Sequence, residues 1–266
     1  MPDSFDFVDI HCHLLPGIDD GAHSWEESLA MAEMAVNDGI KTVIVTPHQL
    51  GNFGHNSGAG IRQQTEALQS TLQSHGLPLN VLSGADVRID ESMVSKVKSG
   101  EVLTLADRRR HLLLELPHEL YFPLDGVIDS LRAIGVDGIL SHPERNQGIL
   151  QSPSIIEDLL QIGCLMQVTA GSLMGTFGPR SQELSERMLA MNQVHFVATD
   201  AHGSRSRRPL IKRAFERVAE LTSEETAIDV CCRNPAAVAA GEEVKLQQRR
   251  PKPTRLANWF PWRKAA

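Results

Sequence analysis

The sequence predicts an α/β protein in which parallel strands alternate with helices. Short β-branched or apolar runs recur along the chain, and each is followed by a segment with apolar residues at helical spacing. Seven such units fit before Gly241, where the charge balance of the chain changes. This order of elements is typical of a (β/α) barrel and equally of an open doubly wound sheet, and periodicity alone does not separate the two.

The predicted strands are short runs bounded by turn residues or helices. They cover residues 7–10, 42–46, 80–85, 111–116, 138–141, 164–169 and 194–199. The first helix is predicted from Ser24 and Glu27, which form a capping box, and from a stop at Gly39. Further helices with the same apolar spacing are predicted over residues 61–72, 127–134, 155–160, 184–191 and 210–221.

Composition excludes several classes of protein. The 266 residues are 41% hydrophobic and 22% charged, enough for one substantial core and incompatible with a disordered chain. The amino terminus lacks a basic start before an apolar run, and no stretch approaches the roughly 18 apolar residues of a membrane-spanning helix. The four cysteines form no CxxC pair. We therefore expect a cytoplasmic protein with reduced thiols.

Charge divides the chain into two parts. Residues 1–243 carry 19 basic and 33 acidic side chains, a net charge of −14, whereas residues 244–266 carry +7. The acidic body argues against nucleic acid as a partner. We expect a globular domain over residues 1–243 and a basic tail over residues 244–266. The tail is either a solvated terminus or a docking segment anchored by Trp259, Phe260 and Trp262.

Histidines and carboxylates follow six of the seven predicted strands. The candidate residues are Asp9, His11, His13, Asp19, Asp20, His48, Asp86, Glu115, His142, Asp200 and His202. Parallel strands end on one face of a barrel or sheet, so these side chains are expected to converge there. Imidazole nitrogens and carboxylate oxygens are ligands for Zn, Mn or Fe, and a carboxylate can bridge two ions. The pattern predicts a metal centre.

Some of these candidates have alternative roles. Residues two apart on a strand point the same way, so His11 and His13 can meet one ion. Asp9 is either a ligand or a carboxylate that orients a histidine. We expect only one of Asp19 and Asp20 to coordinate a metal ion. Cys12 lies on the opposite side of the strand from the histidines and is expected to fill the core.

Six motifs in the chain resemble those of a known phosphatase family. They are DIHCHLLPGIDDGA (9–22), TPH (46–48), LELP (114–117), SHPERN (141–146), TAGSLMG (169–175) and TDAH (199–202). Together they resemble the capsular-polysaccharide protein-tyrosine phosphatases of the polymerase and histidinol phosphatase (PHP) superfamily, over roughly residues 6–240. The resemblance implies a distorted (β/α)7 TIM-like barrel, the PHP fold.

The resemblance also implies a set of functional residues. Three divalent metal ions are implied, often manganese, with iron, zinc or cobalt as alternatives. The implied ligands are His11, His13, Asp20, His48, Asp86, Glu115, His142, Asp200 and His202. Arg145 and Arg207 are implied to bind phosphate, with Arg208 as an alternative to Arg207, and His55 is a candidate proton donor.

Two positions depart from the pattern of that family. Asp86 stands where the family usually has a longer glutamate, which is expected to shift or weaken one metal. The loop over residues 49–56 keeps small and aromatic residues but lacks a second histidine that is common there. Both departures bear on metal occupancy and substrate preference more than on the type of reaction.

The implied activity is metal-dependent hydrolysis of phosphotyrosine, on a membrane-bound tyrosine autokinase of capsular or exopolysaccharide synthesis. The chain contains no Cys-x5-Arg loop, so phosphotyrosine chemistry through a cysteine nucleophile is not expected. The basic tail would lie near an anionic membrane surface and make a peripheral contact with it. The alternatives are a phosphatase for a small metabolite such as histidinol phosphate, a nucleotide phosphoesterase, and a non-catalytic binding module.

Overall fold

Parallel strands and helices alternate along the computed structural model, which describes residues 6–244. The strands are β1 (Phe7–Cys12), β2 (Ile40–Val45), β3 (His48–Gln49), β4 (Asn80–Ser83), β5 (Asp86–Arg88), β6 (His111–Glu115), β7 (Asp137–Ser141), β8 (Leu165–Thr169) and β9 (Phe196–Ala198). The helices are α1 (Trp25–Asp38), α2 (Gly58–Ser74), α3 (Met93–Ser99), α4 (Asp125–Arg132), α5 (Gln147–Gln151), α6 (Ile155–Gln161), α7 (Ala170–Leu173), α8 (Pro179–Ala190), α9 (Lys212–Leu221), α10 (Glu224–Ile228) and α11 (Asn234–Ala240).

The strand segments occupy seven positions around a closed barrel. One sheet has the order β1-β2-β4 and the other the order β3-β5-β6-β7-β8-β9, and every pairing is parallel. Two residues separate β2 from β3 and β4 from β5, so each pair is one interrupted strand. Hydrogen bonds from Asp200 N to His11 O and from His13 N to Ala201 O join the last strand to the first. The predicted distorted (β/α)7 barrel is confirmed.

Apolar side chains fill the barrel interior below the carboxyl ends of the strands. One buried cluster combines Val8 and Ile10 of β1 with Ile44, Leu113, Ile139 and Phe196 from other strands. A larger cluster contains the alternate strand residues, such as Leu112 and Leu114, together with the apolar faces of the helices. The alternation of side chains along each strand therefore separates the barrel interior from the shell between strands and helices.

The first helix begins where its capping box predicts, with one difference in the hydrogen bonds. Ser24 Oγ accepts from Glu27 N, and Gly39 ends the helix with a left-handed φ of 99°. The Glu27 carboxylate accepts from His23 N and Ser204 N instead of from Ser24 N. Glu27 consequently ties the start of α1 to the loop after β9.

Several elements differ from the predicted ones. The predicted strand 80–85 ends at Ser83, and Asp86 opens the next segment instead of following a strand. His48 likewise opens β3, because Pro47 before it has no N–H to continue the ladder. The predicted set of helices omitted α3 and the short helices α5, α7, α10 and α11. Among residues 6–244, no helix combines the length and hydropathy that crossing a bilayer requires.

The basic tail proposed from residues 244–266 lies outside the described residues, except for Val244. The anchors proposed there, Trp259, Phe260 and Trp262, therefore stay predictions from sequence. The proposed domain boundary at residue 243 also stays a prediction. It falls three residues beyond the end of α11, the last helix of the described part of the chain.

Candidate metal centre

The nine residues implied as ligands come together at the carboxyl end of the barrel. They form four overlapping groups in which one donor atom of each residue lies within 4.8 Å of the others. The groups are His13–Asp20–His48–His202, His11–His142–Asp200, His11–His13–Asp86 and His48–Asp86–Glu115. Because four of the residues belong to two groups each, the groups are adjacent parts of one cluster.

An irregularity in β1 directs the first two histidines into this cluster. Val8 and Ile10 point into the barrel, so strict alternation would also point Cys12 inward. The pairing of β1 with β2 is irregular between Asp9 and Cys12, and Cys12 lies in the outer core. His11 and His13 therefore turn inward, and their Nε2 atoms lie 3.2 Å apart.

Burial keeps these two histidines neutral. Desolvation lowers the pKa of His11 to about 4 and that of His13 to about 3. A neutral imidazole has a free lone pair on one nitrogen, which is the form that binds a metal ion. At neutral pH both side chains are thus ready to act as ligands.

Hydrogen bonds to the other ring nitrogens orient both imidazoles. His11 Nδ1 is 2.9 Å from Gln167 Oε1, and His13 Nδ1 is 2.7 Å from Asp19 Oδ2. With the Nδ1 atom of each ring donating a proton, the Nε2 atom carries the lone pair and faces the cluster. Gln167, on β8, was not identified from the sequence, because an isolated glutamine in a strand has no distinguishing pattern.

The structure gives Asp19 and Asp20 different positions. Asp19 accepts hydrogen bonds from Gly21 N at 2.9 Å and His48 N at 3.0 Å, besides its contact with His13. Asp20 lies at the mouth, where its Oδ1 is 3.4 Å from His48 Nε2 and 3.5 Å from His202 Nε2. The geometry favours Asp20 as the ligand and Asp19 as the residue that holds a ligand in place.

Asp86 lies at the centre of the cluster and has no hydrogen-bond partner for either carboxylate oxygen within the described part of the chain. Its side chain is fully buried, and burial and then the nearby Glu115 charge raise its pKa well above the ordinary value. His48 Nδ1, 3.5 Å from Asp86 Oδ2, is likewise buried and without a hydrogen bond. Buried polar atoms normally find a partner, so these three atoms fit a site for cations.

The acidic surroundings have the opposite effect on His48. Burial favours its neutral form, but the hydrogen bond to Asp20 and the charges of Asp86 and Glu115 outweigh it and raise the pKa of His48 to about 9. A cation bound in this half of the cluster would replace the proton of His48. The shorter Asp86 side chain nevertheless reaches both His11 and His48, at 3.5 Å each.

Asp200 joins the metal-ligand cluster to the two arginines. Its Oδ1 is 3.2 Å from His11 Nε2, whereas its Oδ2 accepts from Arg145 Nη1 and, at 2.5 Å, from Arg207 Nη2. Burial alone would raise the pKa of Asp200, but His11 and the two guanidinium groups hold it well below the ordinary value. The carboxylate is therefore ionised and faces both cationic groups and the donor cluster.

Three of the eight non-glycine residues with positive φ in the described part of the chain lie at this site. His142, Asp200 and Arg207 have φ values of 34°, 48° and 49°, in the left-handed region that residues with a Cβ seldom adopt. Such strain persists where the surrounding structure imposes it and is often found at active sites. Here it directs one implied ligand from β7, one from β9 and one arginine towards the same point.

The alternatives considered for phosphate binding and proton donation, Arg208 and His55, are exposed side chains. Arg208 is exposed, whereas Arg207 contacts Asp200. His55 is also exposed, and its ring lies 6.2 Å from the Phe53 ring, measured between centroids. The geometry consequently favours Arg145 and Arg207 as the cationic pair and gives His55 no contact with the cluster.

Two phenylalanines at the mouth were not identified from the sequence. Phe53 stacks on the His48 ring at 5.2 Å between centroids, and Phe177 lies under the Arg145 guanidinium with 4.2 Å from Cζ to the ring centroid. Phe177 stands in a Gly-Thr-Phe-Gly run after β8. A single phenylalanine in a short glycine-containing loop between α7 and α8 was the only available signal, and it does not distinguish a site residue from an ordinary loop residue.

Asp9 and Glu144 are buried carboxylates that connect neighbouring strand ends next to the site. Asp9 accepts from Thr199 Oγ1 and Thr199 N and so joins β1 to the end of β9. It also accepts from the backbone N–H of His11 at 3.3 Å, whereas the sequence predicted either a metal ligand or a contact that orients a histidine side chain. Glu144 is fully buried and accepts from Thr169 N at 3.0 Å and Ser172 Oγ at 2.7 Å. Burial raises the pKa of both carboxyl groups, to about 6 for Asp9.

Comparison with known proteins relates this site to a family. A sequence model described as capsular polysaccharide synthesis, CpsB/CapC, matches residues 7–240. Tyrosine-protein phosphatase YwqE of Bacillus subtilis is 36% identical over 202 residues, which cover 75% of this chain and 79% of that protein. The putative tyrosine-protein phosphatase CapC of Staphylococcus aureus is 32% identical over 209 residues, covering 78% of this chain and 82% of that protein.

Solved structures support the same relationship. One solved structure matches this chain with a TM-score of 0.87 and 31% identity. It comes from a study that describes YwqE from Bacillus subtilis and CpsB from Streptococcus pneumoniae as unique metal-dependent tyrosine phosphatases. The match covers 93% of this chain and 100% of that chain. A TatD-family hydrolase from Entamoeba histolytica matches with a TM-score of 0.54 at 12% identity, covering 89% and 98% of the two chains, and shows a shared fold alone.

Proposed function

Because the chain belongs to the CpsB/CapC family of capsular polysaccharide synthesis, we propose that it is a metal-dependent protein-tyrosine phosphatase. The observation that carries the proposal is Asp200, whose two oxygens face a cluster of nitrogen and oxygen donors on one side and two arginines on the other. A phosphate group bound next to Asp200 would be within reach of both. This arrangement suits hydrolysis of a phosphate monoester.

The residues that would hold metal ions are the nine of the four donor groups. They are His11, His13, Asp20, His48, Asp86, Glu115, His142, Asp200 and His202. We propose three divalent ions, with manganese preferred and iron, zinc or cobalt as alternatives, because this mixture of imidazole and carboxylate ligands accepts all of them. When bound, such ions acidify a water molecule and neutralise phosphate oxygens.

The protein residues would position the substrate for reaction. Arg145 and Arg207 present planar guanidinium groups that can each donate two hydrogen bonds to phosphate oxygens. A water oxygen forms a new bond to phosphorus while the bond from phosphorus to the tyrosine oxygen breaks, and the products are tyrosine and inorganic phosphate. The parent pKa of the phenol is about 10, so the departing oxygen can take up a proton from water without a dedicated acid.

We propose a membrane-bound tyrosine autokinase of exopolysaccharide assembly as the substrate protein. The support is the family of the chain and the phosphotyrosine specificity named for its relatives. The +7 charge of residues 244–266 suits a peripheral contact with an anionic membrane on which such a substrate is carried. In this proposal the enzyme acts in the cytoplasm.

A substrate comparison tests the proposed activity. Hydrolysis of a phosphotyrosine peptide, a phosphoserine peptide and histidinol phosphate is measured with added Mn²⁺ and with chelator. We expect preference for phosphotyrosine, loss of turnover with chelator, and at least about a hundredfold loss in Asp200→Ala, because a ligand and the shared partner of two half-buried arginines disappear together.

Asp129→Ala is the matched control, because Asp129 is an exposed aspartate on α4 that pairs with Arg132. It is expected to retain the turnover and metal content of the wild type, measured by elemental analysis. Preference for histidinol phosphate would overturn the proposed substrate while keeping the metal-dependent mechanism. No turnover by the metal-loaded wild type would overturn the activity itself.

A further inference from the structure

Phe177 is the aromatic residue that contacts the guanidinium groups of both arginines. The Arg145 Cζ atom lies 4.2 Å from its ring centroid, and the Arg207 Cζ atom lies 5.8 Å away. Both distances are within the roughly 6 Å at which a cation is attracted to the face of an aromatic ring. Phe177 comes from the loop between α7 and α8, whereas the arginines follow β7 and β9.

The loop that carries Phe177 is held by its own backbone hydrogen bonds. Thr176 N donates to Gly171 O at 2.9 Å, Gly175 N to Ser172 O at 3.0 Å, and Gly178 N to Gly175 O at 3.1 Å. The ring is therefore attached to a fixed turn on both sides. It can restrain the side chains that rest on it, whereas a ring on a loose loop would follow them.

Gly171 leaves the space that the Phe177 ring occupies. A Cβ atom at Gly171 would lie 3.1 Å from Phe177 Cε2, which is closer than ordinary van der Waals contact. Any larger residue there would displace the ring or the loop. The position of the ring thus depends on a glycine in the neighbouring helix as well as on the loop itself.

The two arginines have few other restraints. The buried Nε atoms of Arg145 and Arg207 lack hydrogen-bond partners in the part of the chain that the structure describes. Their terminal nitrogens converge on one oxygen of Asp200. A hydrogen bond to a single oxygen leaves a guanidinium plane free to rotate about that contact, and the ring face supplies the missing restraint for Arg145.

We propose that Phe177 is a positioning residue that holds Arg145, and more weakly Arg207, in the orientation that receives the phosphate of the substrate. The inference rests on the proposed function, in which these arginines bind phosphate. Phe177 acts through the arginines and forms no bond to the reacting atoms. An aliphatic side chain would fill the space but would lack the electrostatic attraction of the ring face.

A double-mutant cycle tests this role in the Mn²⁺-loaded full-length enzyme. The measurements are kcat/KM for p-nitrophenyl phosphate and the inhibition constant of inorganic phosphate, for Phe177→Leu, Arg145→Ala and the double variant. We expect Phe177→Leu alone to weaken phosphate inhibition and to lower kcat/KM by about fivefold. In the Arg145→Ala background the same substitution should change either quantity by less than about twofold.

Three further variants control for folding. Phe177→Tyr keeps an aromatic face and should retain most of the wild-type values, and Thr176→Ala changes the same loop without removing the ring. Gly171→Ala, which crowds the ring but leaves Phe177 in the chain, should reproduce part of the Phe177→Leu defect. Metal content of each variant should match the wild type, and so should the thermal unfolding of Phe177→Tyr and Thr176→Ala, which crowd nothing.

The outcomes separate the two proposals. Full activity of Phe177→Leu beside an impaired Arg145→Ala would overturn the positioning role and leave the proposed function intact. A fivefold loss that persists in the Arg145→Ala background would also overturn it, because Phe177 would then act independently of that arginine. Arg145→Ala with wild-type inhibition by phosphate would contradict both the phosphate-binding arginine and the inference built on it.

Discussion

Gln167 contributes to the site at the scale of a single residue without being a candidate ligand. Its Oε1 lies 2.9 Å from His11 Nδ1, and its side chain is fully buried on β8. An acceptor at this position favours the tautomer in which His11 Nδ1 carries the proton and Nε2 faces the donor cluster. His11 belongs to two of the four donor groups, so its orientation affects two parts of the centre.

Gln167→Leu is expected to lower the affinity for Mn²⁺ by about 10- to 100-fold with little change in fold, because loss of such an orienting partner has effects of this size. Leucine fills a similar volume but accepts no hydrogen bond. The measurement is Mn²⁺ binding by calorimetry, beside turnover of an aryl phosphate at saturating metal. Gln167→Glu, which restores an acceptor, should bind Mn²⁺ more tightly than Gln167→Leu. Equal affinity of wild type and Gln167→Leu would contradict the orienting role.

The pair of histidines at the end of β1, His11 and His13, shows what could be predicted from single residues. Their spacing and their place after an apolar run predicted that His11 and His13 would lie side by side, and the structure brings them together. The backbone irregularity that turns them inward has no signature in the residues 9–12 themselves. Gln167 and Phe177 were missed because their importance depends on contacts with residues distant in the chain, which no local pattern records.

At the scale of elements, the packing of α4 against the sheet depends on a glycine. A Cβ atom at Gly138 in β7 would lie 2.7 Å from Ile128 Cδ1 and 2.9 Å from Leu114 Cδ1. The helix and a neighbouring strand therefore approach β7 more closely than an alanine permits. The same helix contains Gly126, where an added Cβ would meet nothing within 4 Å.

The two glycines are expected to respond in opposite directions to substitution by alanine. Gly138→Ala should lower the free energy of unfolding by about 1–3 kcal/mol, because it overpacks the contact between β7 and α4. Gly126→Ala should raise it by up to about 1 kcal/mol, because alanine is the better helix former and meets no obstacle. Chemical denaturation of both variants provides the measurement. A neutral Gly138→Ala would show that the helix can move away at no cost.

Element boundaries could be predicted less well than element types. The sequence predicted seven strand–helix units, and the barrel has seven strand positions. The prediction placed Asp86 after a strand, whereas Asp86 opens β5. The interruption at residues 84–85 accompanies Gly84, where a Cβ would lie 2.7 Å from Ile44 Cγ2. A close approach of this kind is a tertiary contact, so the local sequence shows only a glycine.

The contact between β8 and the start of β9 has a consequence for acid stability at the scale of the whole molecule. His195, just before β9, accepts a hydrogen bond from Met166 N of β8 at its Nδ1 atom, with a distance of 2.8 Å. Burial lowers the pKa of His195 to about 4 from an ordinary value of 6.5. The folded protein holds this ring neutral, whereas the unfolded chain binds a proton below about pH 6.5.

The free energy of unfolding should therefore fall as the pH drops from about 6.5 towards 4. The share of His195 in this loss is about 2 kcal/mol between pH 8 and pH 5, from the difference between its folded and unfolded pKa values. His195→Gln removes the titrating ring and should lose less stability than the wild type over this range. Urea unfolding at both pH values measures the change, and the comparison at pH 8 isolates the effect of packing. An unchanged pH dependence would contradict a neutral buried His195.

The distribution of charge over the whole chain leads to a prediction about where the enzyme acts. Residues 1–243 carry a net charge of −14 and repel an anionic membrane, so attraction to such a surface depends on the seven basic residues of 245–266. Each basic residue near an anionic bilayer contributes about 1 kcal/mol, and the contribution declines with added salt. The tail would thereby hold an otherwise repelled phosphatase near a membrane-bound substrate.

Deletion of residues 245–266 is expected to abolish sedimentation with phosphatidylglycerol vesicles and to leave hydrolysis of a soluble aryl phosphate unchanged, because the donor cluster and both arginines lie in the barrel. Replacing Trp259, Phe260 and Trp262 by serine keeps the charge and separates apolar anchoring from electrostatic attraction. This triple serine variant keeps the basic residues, so it should still bind the vesicles at low salt. It should dissociate from them at a lower salt concentration than the wild type does. Equal loss of vesicle binding and turnover on deletion would show instead that the tail supports the folded barrel, and undiminished vesicle binding would contradict the docking role.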